Sequence, residues 1–194
     1  MTQPAAAPAP HPGNEPAYSV ESHGAQFDVR RYAPYLVAEV VVPGPADEAS
    51  SQGFRLLAAY IFGKNRGATT LPMTTPVTQS ARPVTLAMTT PVTQSAAGGG
   101  YVVQFVMPAG YTLTTLPIPL ENRVTLREVP ARRIAVLRYS GTWSERRYQE
   151  HLTTLREAVR AAGLAAAGEP VFARYNAPYV LPFLRRNEVW LPLT

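Results

Sequence analysis

The chain of 194 residues contains no cysteine, only one lysine (Lys64) and only three histidines. Without cysteine there is no disulfide framework, no thiolate nucleophile and no thiolate-ligated metal. No stretch approaches the roughly 20 successive apolar residues that a spanning helix needs. The start, MTQPAAAPAPHPGNEPAY, has neither a basic n-region nor an apolar h-region, so it does not read as a secretory signal. Residues 1–17 read instead as a disordered Pro/Ala-rich tail ahead of one domain over 18–194, with the cytoplasm as the default compartment. A chain of this length has enough material for a substantial core.

The basic excess is almost wholly arginine and gives a net charge of +5. These arginines are scattered, at most in pairs such as Arg30-Arg31 and Arg185-Arg186, and form no polybasic arm. No interleaved basic and aromatic module points to nucleic acid, whereas an anionic small molecule suits the charge.

Hydrophobic periodicity places the elements. Phe27 to Val42 alternates and then runs apolar across Pro34, which predicts two strands or one bent strand. A helix is expected over Asp47 to Phe62, with Phe54, Leu57, Ala58 and Ile61 on its apolar face and Gly63 as its stop. Strands follow at Tyr101 to Pro108 and on both sides of Pro130. A second helix opens with Thr142 and Glu145 as a capping box, carries Tyr148, Leu152, Leu155 and Val159 as its stripe, and ends at Gly163. Two last strands, Val171 to Tyr175 and Glu188 to Leu193, flank a Pro-rich loop.

Two repeats are written into the chain. DVRRYAPYLVAEV aligns with TLREVPARRIAVL so that Val29 meets Leu126, an offset of 97 (126 − 29), and each is followed by a turn and an amphipathic helix. The expectation is an α+β fold of duplicated strand-strand-helix-strand units, with antiparallel strands and the two helices on separate sides. The second repeat is literal: MTTPVTQSA occurs at Met73 to Ala81 and again at Met88 to Ala96. Two strands with the same residues compete for one place in a sheet, so register exchange or a strand-swapped dimer stands beside a monomer with a neutral insertion, an extra hairpin arm over 71–95.

Catalytic patterns are lacking. His11, His23 and His151 have no partner at metal-ligand spacing, the threonines of MTTPVTQSA have no elbow or base, and the glutamates sit beside arginines as surface ion pairs. No enzyme activity is expected. Met73, Met88 and Met107 read as core fillers or as pocket lining.

Several stretches in order, FDVRRYAPYLVAEV, GFRLLAAYIFGKN, MTTPVTQS, FVMPAGYTLTTLPIPLENRVTLREV and ARYNAPYVLPFLRRNEVWLPL, resemble the SOUL or haem-binding protein family across Tyr18 to Leu193. The resemblance implies a distorted antiparallel β-barrel flanked by two helices, and non-covalent binding of haem or a related tetrapyrrole as carrier, buffer or sensor. It also places a proposed axial histidine at Arg31, where a guanidinium cannot ligate iron, so binding without a histidine ligand is expected. The apolar wall implied for haem falls at Phe54 and Ala58, and its basic rim at Ser51, Ala59 and Leu181. Arg55, Lys64, Arg66 or Arg185 are the candidates to replace that rim. The expected ligand site is a shelf of Phe54, Arg55, Ala58 and Phe62 from the first helix with Val180, Leu181 and Phe183 from the Pro-rich loop. The same fold resembles bacterial effector-binding domains, so another apolar small molecule or a protein partner is the alternative.

Overall fold

The computed structural model describes residues 15–81, 100–177 and 179–194. The segment around Pro34 becomes two strands, β2 (Asp28–Tyr32) and β3 (Tyr35–Pro43), preceded by β1 (Tyr18–His23), which its mixed polar pattern did not announce. Around Pro130 the same happens, with β6 (Thr125–Val129) and β7 (Arg132–Tyr139). Proline has no N–H to offer a ladder, so each long strand breaks there. The offset of 97 relates Asp28 to Thr125 and Tyr35 to Arg132, the first residues of the matching strands.

Each broken strand pairs along the other: β2 runs antiparallel to β7, and β3 to β6. The remaining strands are β4 (Val77–Ala81), β5 (Gly100–Val106), β8 (Val171–Arg174) and β9 (Asn187–Pro192). All join one sheet in the order β1-β2-β7-β9-β8-β4-β5-β3-β6. Ala33-Pro34 and Pro130-Ala131 therefore link strands near opposite ends of that order, which requires the sheet to curl into a distorted barrel. A pseudo-twofold axis passes between β4 and β8, the antiparallel pair at the middle of the sheet.

Two helices flank the barrel, α1 (Ala46–Ile61) and α2 (Glu145–Ala161). They do not lie on separate sides. Val189, Phe172, Gln79, Val103 and Val40 are successive cross-strand partners and so share one face of the sheet. Val189 packs in the cluster beneath α2, and Val103 and Val40 in the cluster beneath α1. Both helices thus cover the same face, over opposite halves, and leave a groove between them above β4 and β8.

The stripe of α2 is buried as its spacing predicts, at Tyr148, Leu152, Leu155 and Val159. Its cap is Ser144, whose hydroxyl accepts from the Arg147 N–H, rather than Thr142. The chain reaches helical geometry two residues later than the capping-box spacing suggests. On α1 the buried set is Ala49, Ser50, Gly53, Leu57, Tyr60 and Ile61, so Phe54 stands at the edge of the stripe rather than in it. Gly53 sets the depth of this helix, because a Cβ there would lie 2.6 Å from Val103.

The opposite face of the sheet holds Tyr32, Ile134, Val136, Ala173 and Trp190 around a fully buried carboxylate, Glu188. That carboxylate accepts from Arg30 at 3.1 Å, Arg186 at 3.0 Å, the Tyr175 hydroxyl at 2.8 Å and the Trp190 indole at 2.7 Å. Arg186 reaches on to Glu15 at 2.9 Å, so this network also fastens the start of the described chain. Burial alone would raise the Glu188 carboxyl, but the two guanidiniums and two hydrogen-bond donors hold it below its ordinary value.

Candidate ligand-binding site

The duplicated fold makes two clefts in the groove, one beside each helix, and their linings differ most in bulk at one matched pair, Ser51 on α1 against Tyr148 on α2. Beside α2, Tyr148 and Leu152 crowd the space and leave a cavity of about 200 Å³. Beside α1, the positions 97 residues earlier are Ser51 and Arg55, and the cavity is about 710 Å³. That volume lies within the range of roughly 300–1,000 Å³ usual for small-molecule pockets.

The wall of the larger pocket is apolar: Phe54 from α1, Met73 and Val77 leading into β4, Trp143 ahead of α2, and Tyr175 and Ala177 after β8. Phe54 is held edge-on to Phe105, with ring centroids 5.2 Å apart, and remains 37% exposed. Trp143 is fixed by its indole N–H, which donates to Asn187 Oδ1 at 2.8 Å. Thr74 is anchored by its hydroxyl to the Val106 carbonyl, and the Thr75–Pro76 peptide is cis. The first copy of the nine-residue repeat thus supplies pocket wall and the central strand β4 together. The second copy, Met88 to Ala96, lies outside the described residues.

Among the described residues, two cations and no carboxylate line this cavity, Arg55 and Arg174. Arg174 ends β8 with its guanidinium stacked 4.7 Å from the Phe172 ring and 5.2 Å from the Trp143 ring. It donates to the Ser50 hydroxyl and, at 3.5 Å, to Gln79 Oε1, while its buried Nε has no hydrogen-bond partner. Burial lowers its pKa, partly offset by Asp47, Tyr139 and Glu145 acting at a distance. Among the described residues no carboxylate forms an ion pair with it.

Of the residues expected from the sequence, the structure brings Phe54 and Arg55 into this pocket. Ala58 packs against the α1 core, and Phe62, Val180, Leu181 and Phe183 stand outside the lining. Leu181 and Phe183 are 55% and 70% exposed, around a 3-10 turn at Pro182–Leu184. That loop touches the pocket indirectly: the Arg185 guanidinium stacks 4.8 Å from Trp143. Lys64 and Arg66 lie beyond the end of α1, where their backbones bond to residues 118–120. Ser51 lines the pocket, while Ala59 and Leu181 do not, and Arg31 is engaged on β2 with Glu21 at 2.6 Å. The sequence reading missed Arg174 and Trp143. The signal for Arg174 was its register, two residues after Phe172 on the face that β8 turns toward the helices.

Iron-ligating chemistry is sparse. None of the residues described around the pocket is a histidine. His23 pairs with Asp28 at 2.9 Å, and His151 stacks on Tyr139 with centroids 3.9 Å apart, its pKa lowered by burial and by Arg147; His11 lies outside the described residues. The Tyr175 hydroxyl is committed to Glu188, and burial together with that carboxylate pushes its pKa well up. Among the described residues no three His, Asp or Glu side chains gather as a metal site, and no helix is long and apolar enough to cross a membrane.

Comparison with known proteins gives this geometry a setting. The chain is 30% identical over 168 residues to Heme-binding protein 2 of Homo sapiens, covering 85% of this chain and 77% of that protein. Among solved structures, the EcmrR C-terminal domain superimposes with a TM-score of 0.57 at 12% identity, covering 87% of this chain and 97% of that one. SAV2435 bound to tetraphenylphosphonium gives a TM-score of 0.50 at 11% identity, covering 87% and 94%. A shared curled sheet with two helices on one face accounts for the structural likeness, and the sequence match goes further: with its family model matching residues 13–192, the chain belongs to the SOUL heme-binding protein family.

Proposed function

We propose that the 710 Å³ pocket beside α1 binds haem or a related tetrapyrrole non-covalently and reversibly, as a carrier, buffer or sensor rather than as an enzyme. The observation that carries this reading is an open apolar cleft walled by Phe54, Met73, Val77 and Trp143 in a chain of a haem-binding family. A flat macrocycle gains affinity there from buried apolar area, at about 25 cal/mol per Å², against the cost of ordering. The residues present fit the ring better than they fit the metal: rings and aliphatic side chains meet the macrocycle, and no histidine among the described residues is placed to ligate iron. Haem, when bound, supplies whatever redox or gas-binding chemistry the complex has; the chain's own contribution is to enclose the ring and hold its polar edge. Of the foreseen shelf, Val180, Leu181 and Phe183 are kept as an outer rim, on the loop whose Arg185 stacks on Trp143, while Ala58 and Phe62 stay outside the pocket lining.

Titration of the purified apo-protein with hemin and with metal-free protoporphyrin tests this directly. Saturation at one ligand per chain with a sharp Soret shift, and comparable affinity for both rings, is expected. No binding of either would transfer the pocket to the second reading, capture of another apolar small molecule. The fold favours keeping that reading, since a structure of the same architecture holds tetraphenylphosphonium.

A further inference from the structure

We infer that Arg174 is the specificity-determining residue of the pocket and that the ligand it selects is an apolar molecule bearing an anionic group, a carboxylate above all. The inference rests on the pocket proposed above being the ligand site, but not on the ligand being a tetrapyrrole. Three observations combine. Among the described residues the lining holds two guanidiniums and no carboxylate. Arg174 stacks on both the Phe172 and Trp143 rings, at 4.7 and 5.2 Å, and these contacts orient its fork before any ligand arrives. Its hydrogen bonds go only to neutral groups, Ser50 and Gln79, and its Nε is sealed from solvent with none.

Such an arrangement is costly for a fold on its own. A cation withdrawn from water is stabilised well only by a charge of opposite sign, and neutral acceptors return a fraction of the lost hydration. Asp47 and Glu145 act on Arg174 from the first turns of the two helices without pairing with it. A carboxylate entering along the apolar wall would supply the missing partner, and the planar guanidinium is shaped to take it through two parallel hydrogen bonds. The apolar body of the ligand would then lie against Phe54, Met73 and Val77, with Arg55 at the exposed mouth available to a second acidic group. For a tetrapyrrole the acidic groups are the propionates. A merely structural Arg174 would give the opposite signature, since the fold would then need it.

The test compares probe pairs that differ in charge and little in shape: protoporphyrin IX with its dimethyl ester, and tetraphenylborate with tetraphenylphosphonium. Each is titrated into the full-length chain, Arg174→Met and Arg174→Lys. The wild type is expected to prefer the acid over its ester by about tenfold or more, the range of one charge-assisted hydrogen-bond pair in a sheltered site, and to prefer tetraphenylborate, which carries charge but no acceptor, over tetraphenylphosphonium through charge alone. Arg174→Met should shrink both preferences by that factor, Arg174→Lys should restore part of them, and the ligand-free Arg174→Met protein should melt at the same temperature or higher. Should Arg174→Met not fold, the structural role is established and the inference falls unless Arg174→Lys, folded, still shows a reduced preference. Preferences that survive in Arg174→Met, or a wild type that takes ester and cation as well as acid and anion, would overturn it. If neither porphyrin binds while the tetraphenylborate preference persists and depends on Arg174, the tetrapyrrole reading fails and this one stands. If tetraphenylborate does not bind either, both fail.

Discussion

Replacing Ser51 with tyrosine should close the ligand pocket from within, because it copies onto α1 what α2 already carries. Tyr148 occupies the position 97 residues after Ser51, and the cleft it serves holds about 200 Å³ against 710 Å³ beside α1. An aromatic side chain covers on the order of 150–250 Å² when it packs. If the new ring takes even 100 Å² of wall from the ligand, about 25 cal/mol per Å² makes the loss roughly 2.5 kcal/mol, more than tenfold in affinity. The helix itself should be little affected, since Ser51 is exposed and a surface substitution of this kind usually stays within about 0.5 kcal/mol. Hemin and protoporphyrin titrations of Ser51→Tyr beside the wild type, with thermal melts of both, provide the assay. A variant that melts normally yet binds either ring with unchanged affinity would refute the assignment of the pocket and, with it, the argument that side-chain size at matched positions opened one cleft and filled the other.

Three further outcomes concern the scaffold. Glu188→Gln removes the anion that Arg30 and Arg186 share within their buried cluster and should cost about 3 kcal/mol or more in urea denaturation; a loss under 1 kcal/mol would mean the network contributes little. In the wild type, the native Glu188 carboxyl lies below its ordinary 4.5, so its contribution is complete above that pH and is lost as pH falls through the lowered native value; melting temperature should drop over that acid range less steeply in Glu188→Gln. Gly53→Ala, normally favourable in a helix by about 1 kcal/mol, should instead destabilise by roughly 1–3 kcal/mol because its Cβ meets Val103 at 2.6 Å, and a stabilised variant would show that α1 can lift off the sheet.

How much of this was legible differs between fold and site for a physical reason. Strand breaks at Pro34 and Pro130, the stripe of α2 and the offset of 97 are local or periodic features, and each survives as architecture. The capping residue was misplaced because Thr142 and Ser144 are both capable caps, and only the path of the chain out of β7 decides between them. The arrangement of the helices on one face escaped because it depends on registers carried across five strands, which no single segment encodes. The site was half legible. Phe54 and Arg55 belong to a helix whose orientation the apolar pattern fixes, whereas Trp143, Arg174 and Met73 reach the same cavity from three separate parts of the chain. The loop residues Leu181 and Phe183 looked like wall because they are large and apolar; the loop folds over the outside of Trp143 instead, where its backbone is tied down by the Gly141 N–H donating to the Pro182 carbonyl at 2.9 Å.

The literal repeat remains to be accounted for, and strand β4 shows what it can do. Val77 to Ala81 pairs with β5 on one side and β8 on the other, Gln79 donates to the Ala46 carbonyl at 2.8 Å and Thr78 to Gln104 at 3.1 Å. Met88 to Ala96 offers the same nine side chains in the same order, so every one of those contacts is open to it as well. Between Ala81 and Gly100 the chain has 18 residues, whereas between Ala96 and Gly100 it has three. Deleting residues 74–88 leaves one copy of MTTPVTQSA, Met73 now preceding Thr89, and a connection short enough for a β-hairpin. Shortening the connection from 18 to three residues should stabilise by about 1.5 kcal/mol on the logarithmic dependence of loop closure. A spare strand predicts that gain, an unchanged ligand affinity and a monomer by size-exclusion chromatography. Loss of stability by more than 1 kcal/mol would show that the removed residues carry contacts of their own. Conversion from a dimer to a monomer on deletion would show that the second copy serves the β4 position of another chain.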